Sequence, residues 1–301
     1  MSAPSPDLFP FCALPAQSFY ATLRPLAPLL DGLSGWPDQA GYDALLARAR
    51  AAGIQLPGSL RFVSDLEPAA YYESHIGATG EVPTRSRNWH DWFGALSWLA
   101  WPQTKVELNA RHVRAIGRGE VQRGPLRDAA TLLDECGVLV ATSRPELLDA
   151  LSGMDWRALF VDAREAWGKE IEVRVLGHAV FEQGLTPHRL WCAKALPVTV
   201  DAGYFALTDA QRTARLDAAL AAALGDDAWL TRPRELPPLP LLGIPGWDDA
   251  NRDAAYYDDT AYFCRTRRAK SASVMLESVV ENGANTASTS RATSSSASPP
   301  R

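Results

Sequence analysis

The chain has 301 residues, of which 47% are hydrophobic, and a formal net charge of −5 at neutral pH. That is enough apolar material for a substantial core, while a mildly acidic, mixed-charge chain has no whole-molecule attraction for nucleic acid or an anionic membrane. No window reaches the run of about 18 apolar residues that a membrane helix needs, so no membrane partner is expected.

In chain order, residues 1–17 read as an irregular Pro-rich N-terminus. They lack the basic and apolar regions of a signal peptide, which places the protein in the cytoplasm with reduced thiols. Cys12, Cys136, Cys192 and Cys264 form no CxxC pair, which argues against a Cys-based zinc site. Asp38 to Ala52 carries apolar residues at helical spacing, and Gly53 suits a helix end. Leu60 to Ser64 reads as a short strand. Pro125 to Cys136 reads as a helix stopped by Gly137, followed by a buried strand from Val138 to Thr142. Ser143 and Glu146 are spaced as a capping box for a helix through Leu151, and Asp155 suits the cap of another through Trp167. Ile171, Val173 and Val175 alternate with charged residues as in a half-exposed strand. Thr208 and Gln211 open a long Ala/Leu helix that stops at Gly225. The Pro-rich stretch from Arg232 to Trp247 is expected to be extended and pinned to the surface. The basic knot Arg265-Thr266-Arg267-Arg268 reads as solvated surface. Residues 270–301, rich in Ser, Thr and Ala, read as a disordered tail. No repeat and no βαβ rhythm is visible. The class is α+β, mostly helical with a few short strands, in one globular domain over residues 18–269.

The centre of the chain, Thr84 to His112, packs four tryptophans and two histidines among charged groups. Pro102 predicts one helix ending near Trp101 and another starting there. At 100° per residue, Trp89, Trp92, Phe93, Leu96, Leu99 and Ala100 cover one side of the first helix. His90, Asp91, Gly94, Ser97, Trp98 and Trp101 cover the other, so burial on both sides is expected. Gly94 opens space beside His90. On the second helix Lys105, Asn109, His112 and Ile116 form one stripe. A stripe facing His90 and Asp91 across a helical corner would create a ligand site.

This stretch resembles a bacterial family known as the domain of unknown function numbered 3025. The resemblance rests on Val82-Pro83-Thr84-Arg85, Asn88-Trp89-His90-Asp91, Trp98-Leu99, Pro102, Lys105, Leu108-Asn109 and His112. Further on it rests on Gly177-His178-Ala179, Leu242-Gly243-Ile244-Pro245-Gly246-Trp247, Asn251 and Tyr257-Asp258-Asp259. It covers most of residues 40 to 268 and implies a single domain. It carries no activity, and Gly94 stands where the family's pattern implies Asn.

Three functional readings follow from residue chemistry. A divalent metal would take His90, Asp91, His112 and His178 as ligands, with Asp134, Glu135 or Glu182 as a further carboxylate; no HExxH pattern supports this. A metal-free site would use His90 and His112 as acid and base and Asp91 and Asn109 to orient them. Arg85, Arg87 and Lys105 would then hold a small polar or anionic molecule. A binding module would stack a base, a ring or a sugar on Trp89, Trp92, Trp98 or Trp101, with Arg85 or Arg87 beside it. Each has a plain counterpart: buried, hydrogen-bonded histidines, an Arg87–Asp91 ion pair, and tryptophans that are core. No GxGxxG, Walker or GxSxG motif is present, which argues against nucleotide-driven and serine-hydrolase chemistry. The expectation is an enzyme-like protein with its site between the helices of residues 87–116. The alternative is a non-catalytic binding or scaffolding protein. Reaction, substrate and oligomeric state are not legible.

Overall fold

Local signals at the chain's turns set the element boundaries. The computed structural model describes residues 18–33, 35–64, 66, 72–119, 123–264 and 272–276. The expectations for residues 1–17, for the basic knot and for most of the C-terminal tail lie outside them. Asp38 caps α2 (Gln39–Ala51), which follows the short α1 (Ala27–Leu30); the Asp38 carboxylate accepts from the Gly41 amide at 2.9 Å. Gly53 ends the helix at φ +85°, a conformation that side chains resist.

Next come β1 (Arg61–Val63), α3 (Tyr72–Thr79) and β2 (Glu81–Pro83), with β1 and β2 paired in parallel. This small β-α-β unit corrects the expectation of none; strands of three residues are too short to show a period. Asn88 caps α4 (Trp89–Ala100), and Pro102 starts α5 (Pro102–Gly117), as expected. α6 (Pro125–Cys136) runs straight into β3 (Gly137–Thr142), and α7 (Pro145–Ser152) follows. The expected Ser143 capping box is not formed. Pro145 takes the first helical position instead, and the Arg144 amide donates to Thr142 Oγ1 at 3.1 Å. The segment after Asp155 is an irregular π turn over Ala158–Asp162 and a 3-10 turn over Arg164–Ala166, rather than one helix.

β4 (Ile171–Val175) leads to α8 (His178–Gln183), β5 (Cys192–Thr199) and α9 (Asp209–Leu224), whose Thr208–Gln211 capping box is present. β4 is not half-exposed. Arg174 is 1% exposed, because Glu172 and Asp209 hold its guanidinium as α9 starts beside it. The Pro-rich stretch is not a surface strap. β6 (Pro238–Pro240) pairs with β5, and Leu239, Leu241 and Ile244 are buried. Residues 272–276, assigned by composition to the tail, include β7 (Val274–Met275), which pairs with β5 in parallel.

The larger sheet has the order β4-β3-β5-β6, with β7 also on β5. β3 is antiparallel to β4 and parallel to β5. It is buried on both faces, which is why it reads as a continuous apolar run. Its side chains alternate between two cores. Val138 and Val140 join α2, α4, α7 and α8, whereas Leu139 and Ala141 join α6 and α9. Each fully buried Val, Leu or Phe contributes roughly 1.5–3 kcal/mol relative to exposure.

Three devices orient the helices around the site. Trp101 Nε1 donates to Val175 O at 3.0 Å, and Ser97 Oγ donates to Leu176 O at 3.2 Å, tying the end of α4 to the end of β4. Asp217 of α9, 2% exposed, accepts from the Gln103 and Thr104 amides at 3.1 and 2.8 Å and so caps α5 from across the core. Gly177, at the start of α8, lies against the end of α6. A Cβ there would sit 2.5 Å from Glu135 O and 2.6 Å from Gly137 N.

Candidate metal centre and cavity

Phe93 of α4 packs on Phe181 of α8, with ring centroids 5.7 Å apart. Three residues earlier on each helix stand His90 and His178. Residues at i and i+3 share a face, so the contact that joins the helices also brings the histidines together. Gly94 leaves room: a Cβ there would meet only His178 Cδ2, at 3.9 Å. The imidazoles meet edge to face, and their Nε2 atoms are 3.0 Å apart.

Glu135, at the end of α6, completes the cluster. Its Oε2 lies 3.4 Å from His178 Nε2 and 3.7 Å from His90 Nε2. The close approach at Gly177 is what places α6 beside α8. Two ligands of a tetrahedral zinc ion, each about 2.0–2.1 Å from the metal, stand roughly 3.3 Å apart. The observed triangle of 3.0, 3.4 and 3.7 Å brackets that value. All three ligand atoms lie within 4.8 Å of one another.

The surrounding groups set the proton positions. His90 Nδ1 lies 2.9 Å from Glu182 Oε2, so Glu182 accepts the Nδ1 proton. Glu182 is one turn after His178 on α8, and the pair reaches His90 together. His178 Nδ1 is buried against Asp134, whose backbone is within weak hydrogen-bonding reach and whose Oδ2 is 3.9 Å away. Burial holds the His178 pKa down at about 4, so the ring is neutral at pH 7. Burial pushes the Glu135 carboxyl up, against the pull of His90. Asp134 is opposed by burial too. Lys105, whose Nζ donates to it at 2.6 Å, and His178 outweigh that and hold it low.

The cluster opens on a cavity of about 560 Å³ formed by α3, α4, α5 and α6 with β2 and α8. Of the expected site residues, Arg85, His90, Asp91, Trp98, Lys105, His112 and His178 line it. Their partners differ from expectation. Arg85 grips Asp91 through Nε and Nη2 at 2.8 and 2.9 Å, and its amide donates to the same carboxylate at 2.7 Å. This replaces the expected Arg87–Asp91 pair; Arg87 stands at φ +54° before the Asn88 cap. Asp91 therefore neither joins the cluster nor orients His90. Lys105 sits 5.4 Å from the Trp98 ring centroid and is neutralised by Asp134. Asn109 Nδ2 donates to Glu73 O and Oε2 at 2.8 and 2.7 Å, tying α3 to α5. His112 is apart from the other two histidines, with Thr131 Oγ1 3.5 Å from its Nε2. Trp101 is fully buried in the α6–α9 core and does not line this cavity.

Glu73, Arg123, Arg127 and Thr131 also line the cavity without having been singled out as site residues. Arg127, Thr131 and Glu135 follow one face of α6 at four-residue steps, a polar stripe that was visible in the sequence.

What the fold and cluster define is an α+β protein with a two-histidine, one-glutamate centre on a polar cavity. A family model described as a protein of unknown function, DUF3025, matches residues 60–268. The chain belongs to that family. No curated protein and no solved structure matches it. Among the described residues no helix is long and apolar enough to cross a membrane.

Proposed function

We propose that the protein is a metal-dependent enzyme for a small polar or anionic substrate, with His90, His178 and Glu135 holding a divalent transition ion. The observation that carries this reading is the convergence of His90 Nε2, His178 Nε2 and Glu135 Oε2, all within 4.8 Å of one another. An ion held there would take both Nε2 lone pairs, with both Nδ1 atoms protonated. Glu182 lies 2.9 Å from one of those Nδ1 atoms, and the other faces Asp134. That is the carboxylate–histidine–metal arrangement.

Two imidazoles and one carboxylate suit zinc and also iron(II), and leave coordination positions for water and substrate. When bound, the ion would lower the pKa of a coordinated water and make it a nucleophile for hydrolysis. Glu182 orients His90, Asp134 orients His178, and Trp98 supplies an apolar wall. The alternative, a binding protein without chemistry, keeps the His90–His178 hydrogen bond as a structural contact.

Titration of zinc or manganese into chelator-treated protein, followed by calorimetry, tests the assignment. Glu182→Ala is expected to weaken binding about 10- to 100-fold, as loss of an outer carboxylate partner does. His90→Ala is expected to abolish stoichiometric binding. Unchanged affinity in His90→Ala would overturn it.

A further inference from the structure

At the other end of the α6 stripe the cavity has a second polar centre. Arg127 lies two turns before Glu135, a rise of about 12 Å along the helix axis. Four cationic side chains line the cavity, and three have anionic partners. Arg85 is held by Asp91, Lys105 by Asp134, and Arg123 by Asp128 at 3.1 Å. Among the described residues Arg127 has neither ion pair nor hydrogen bond, and its Nε is buried without a partner.

His112 stands beside it and is 3% exposed. Its Nδ1 is also buried without a hydrogen-bond partner. Burial, aided by Arg127, Arg123 and Lys105, holds His112 neutral at pH 7. In the tautomer whose Nε2 accepts from Thr131 Oγ1, 3.5 Å away, the neutral ring carries its proton on Nδ1 and is a donor. One guanidinium without an ion pair and a donor imidazole, its tautomer set by the Thr131 hydroxyl, form a pocket for an oxyanion. The lining also includes Leu66, Val82, Pro83, Trp98 and Ile116, so part of the cavity wall is apolar.

We infer that Arg127, with His112, Thr131 and Arg123, is an anion subsite for the far end of an elongated substrate. Such a substrate bears a carboxylate or phosphate-ester group at that end and its reacting group at the histidine pair. Arg127 has no carboxylate within ion-pair distance among the described residues, and its planar guanidinium fork fits two oxygens of either group. The substrate's shape rests on the metal reading; the anion subsite does not.

The test is calorimetric binding of octanoate, octyl phosphate and α,ω-dicarboxylates from succinate to sebacate to the full-length chain. Octanoate and octyl phosphate separate the two oxyanions. Octanoate is expected to bind wild type and chelator-treated protein alike, and Arg127→Gln to weaken it about tenfold or more, the loss of one charge-assisted contact. Affinity for the dicarboxylates is expected to peak at an intermediate length in metal-loaded protein and to lose that peak after chelation or in Arg127→Gln. Circular dichroism confirms that the variant is folded. Equal octanoate affinity in wild type and Arg127→Gln, or no binding of any probe, would overturn the subsite. Arg127-dependent octanoate binding with no length optimum and no metal uptake would sink the metal reading and leave the subsite standing.

Discussion

Gly177→Ala is expected to cost about 3 kcal/mol of stability or more and to remove the proposed metal binding at the same time. The added Cβ would stand 2.5 Å from Glu135 O, 2.6 Å from Gly137 N and 2.7 Å from Cys136 N. All three are backbone atoms, so no rotamer change relieves the contact, and overpacking of this kind typically costs 1–3 kcal/mol, occasionally more. Relief requires α8 to move off the end of α6, which separates His178 from Glu135. Gly94→Ala is the control. Its Cβ would be in ordinary contact with His178 at 3.9 Å, and alanine favours a helix interior over glycine by about 1 kcal/mol. Chemical denaturation of both variants, paired with zinc titration, checks the contrast. A Gly177→Ala protein with wild-type stability and affinity would show that the approach is not what positions the centre.

Acid is expected to destabilise the protein through His112. Burial lowers its pKa from 6.5 in the unfolded chain to about 4 in the fold. Above pH 6.5 both states are neutral and the group makes no difference. Between those values the unfolded chain takes up a proton that the native state refuses, so stability falls as pH falls through that window. At about 1.36 kcal/mol per unit, the loss approaches about 3 kcal/mol by pH 4. Carboxylates held by ion pairs add their own acid dependence, so the diagnostic is a difference. The stability-versus-pH curve of His112→Gln is expected to be flatter than wild type between pH 6.5 and 4. Parallel curves would mean that His112 titrates normally and is open to water.

Elements with local determinants were legible in the sequence. Pro102 splits α4 from α5, Gly137 ends α6, and Thr208 with Gln211 caps α9, each within a few residues of its signal. The two-sided burial of α4 was legible too, because a helix with aromatics on both faces has nowhere to expose them. Other features depend on distant partners. Asp217 caps α5 from 113 residues away, and Arg174 is buried only because Asp209 meets it. The β1-α3-β2 unit has strands too short for a period.

The site was legible by residue type more than by partner. His90 and His178 were among the expected ligands, and Glu135 among the carboxylates considered for them. Nothing local in the sequence says that Phe93 meets Phe181 and so aligns the two histidines. Asp91 and Lys105 were singled out for their charge, yet their nearest partners, Arg85 and Asp134, consume it. Charges that neutralise each other in the fold read the same in sequence as charges held open for a ligand. Arg127, which has no such partner among the described residues, was passed over because it stands in an ordinary amphipathic helix.

The most direct measurement is the metal content of the full-length protein, purified without a histidine tag and analysed for zinc, iron and manganese. The account predicts near-stoichiometric metal in the wild type and its loss in a folded His90→Ala and His178→Ala double variant. Metal-free wild-type protein that takes up none of the three ions on titration would contradict it, and would leave the histidine pair as a hydrogen bond in the wall of the cavity.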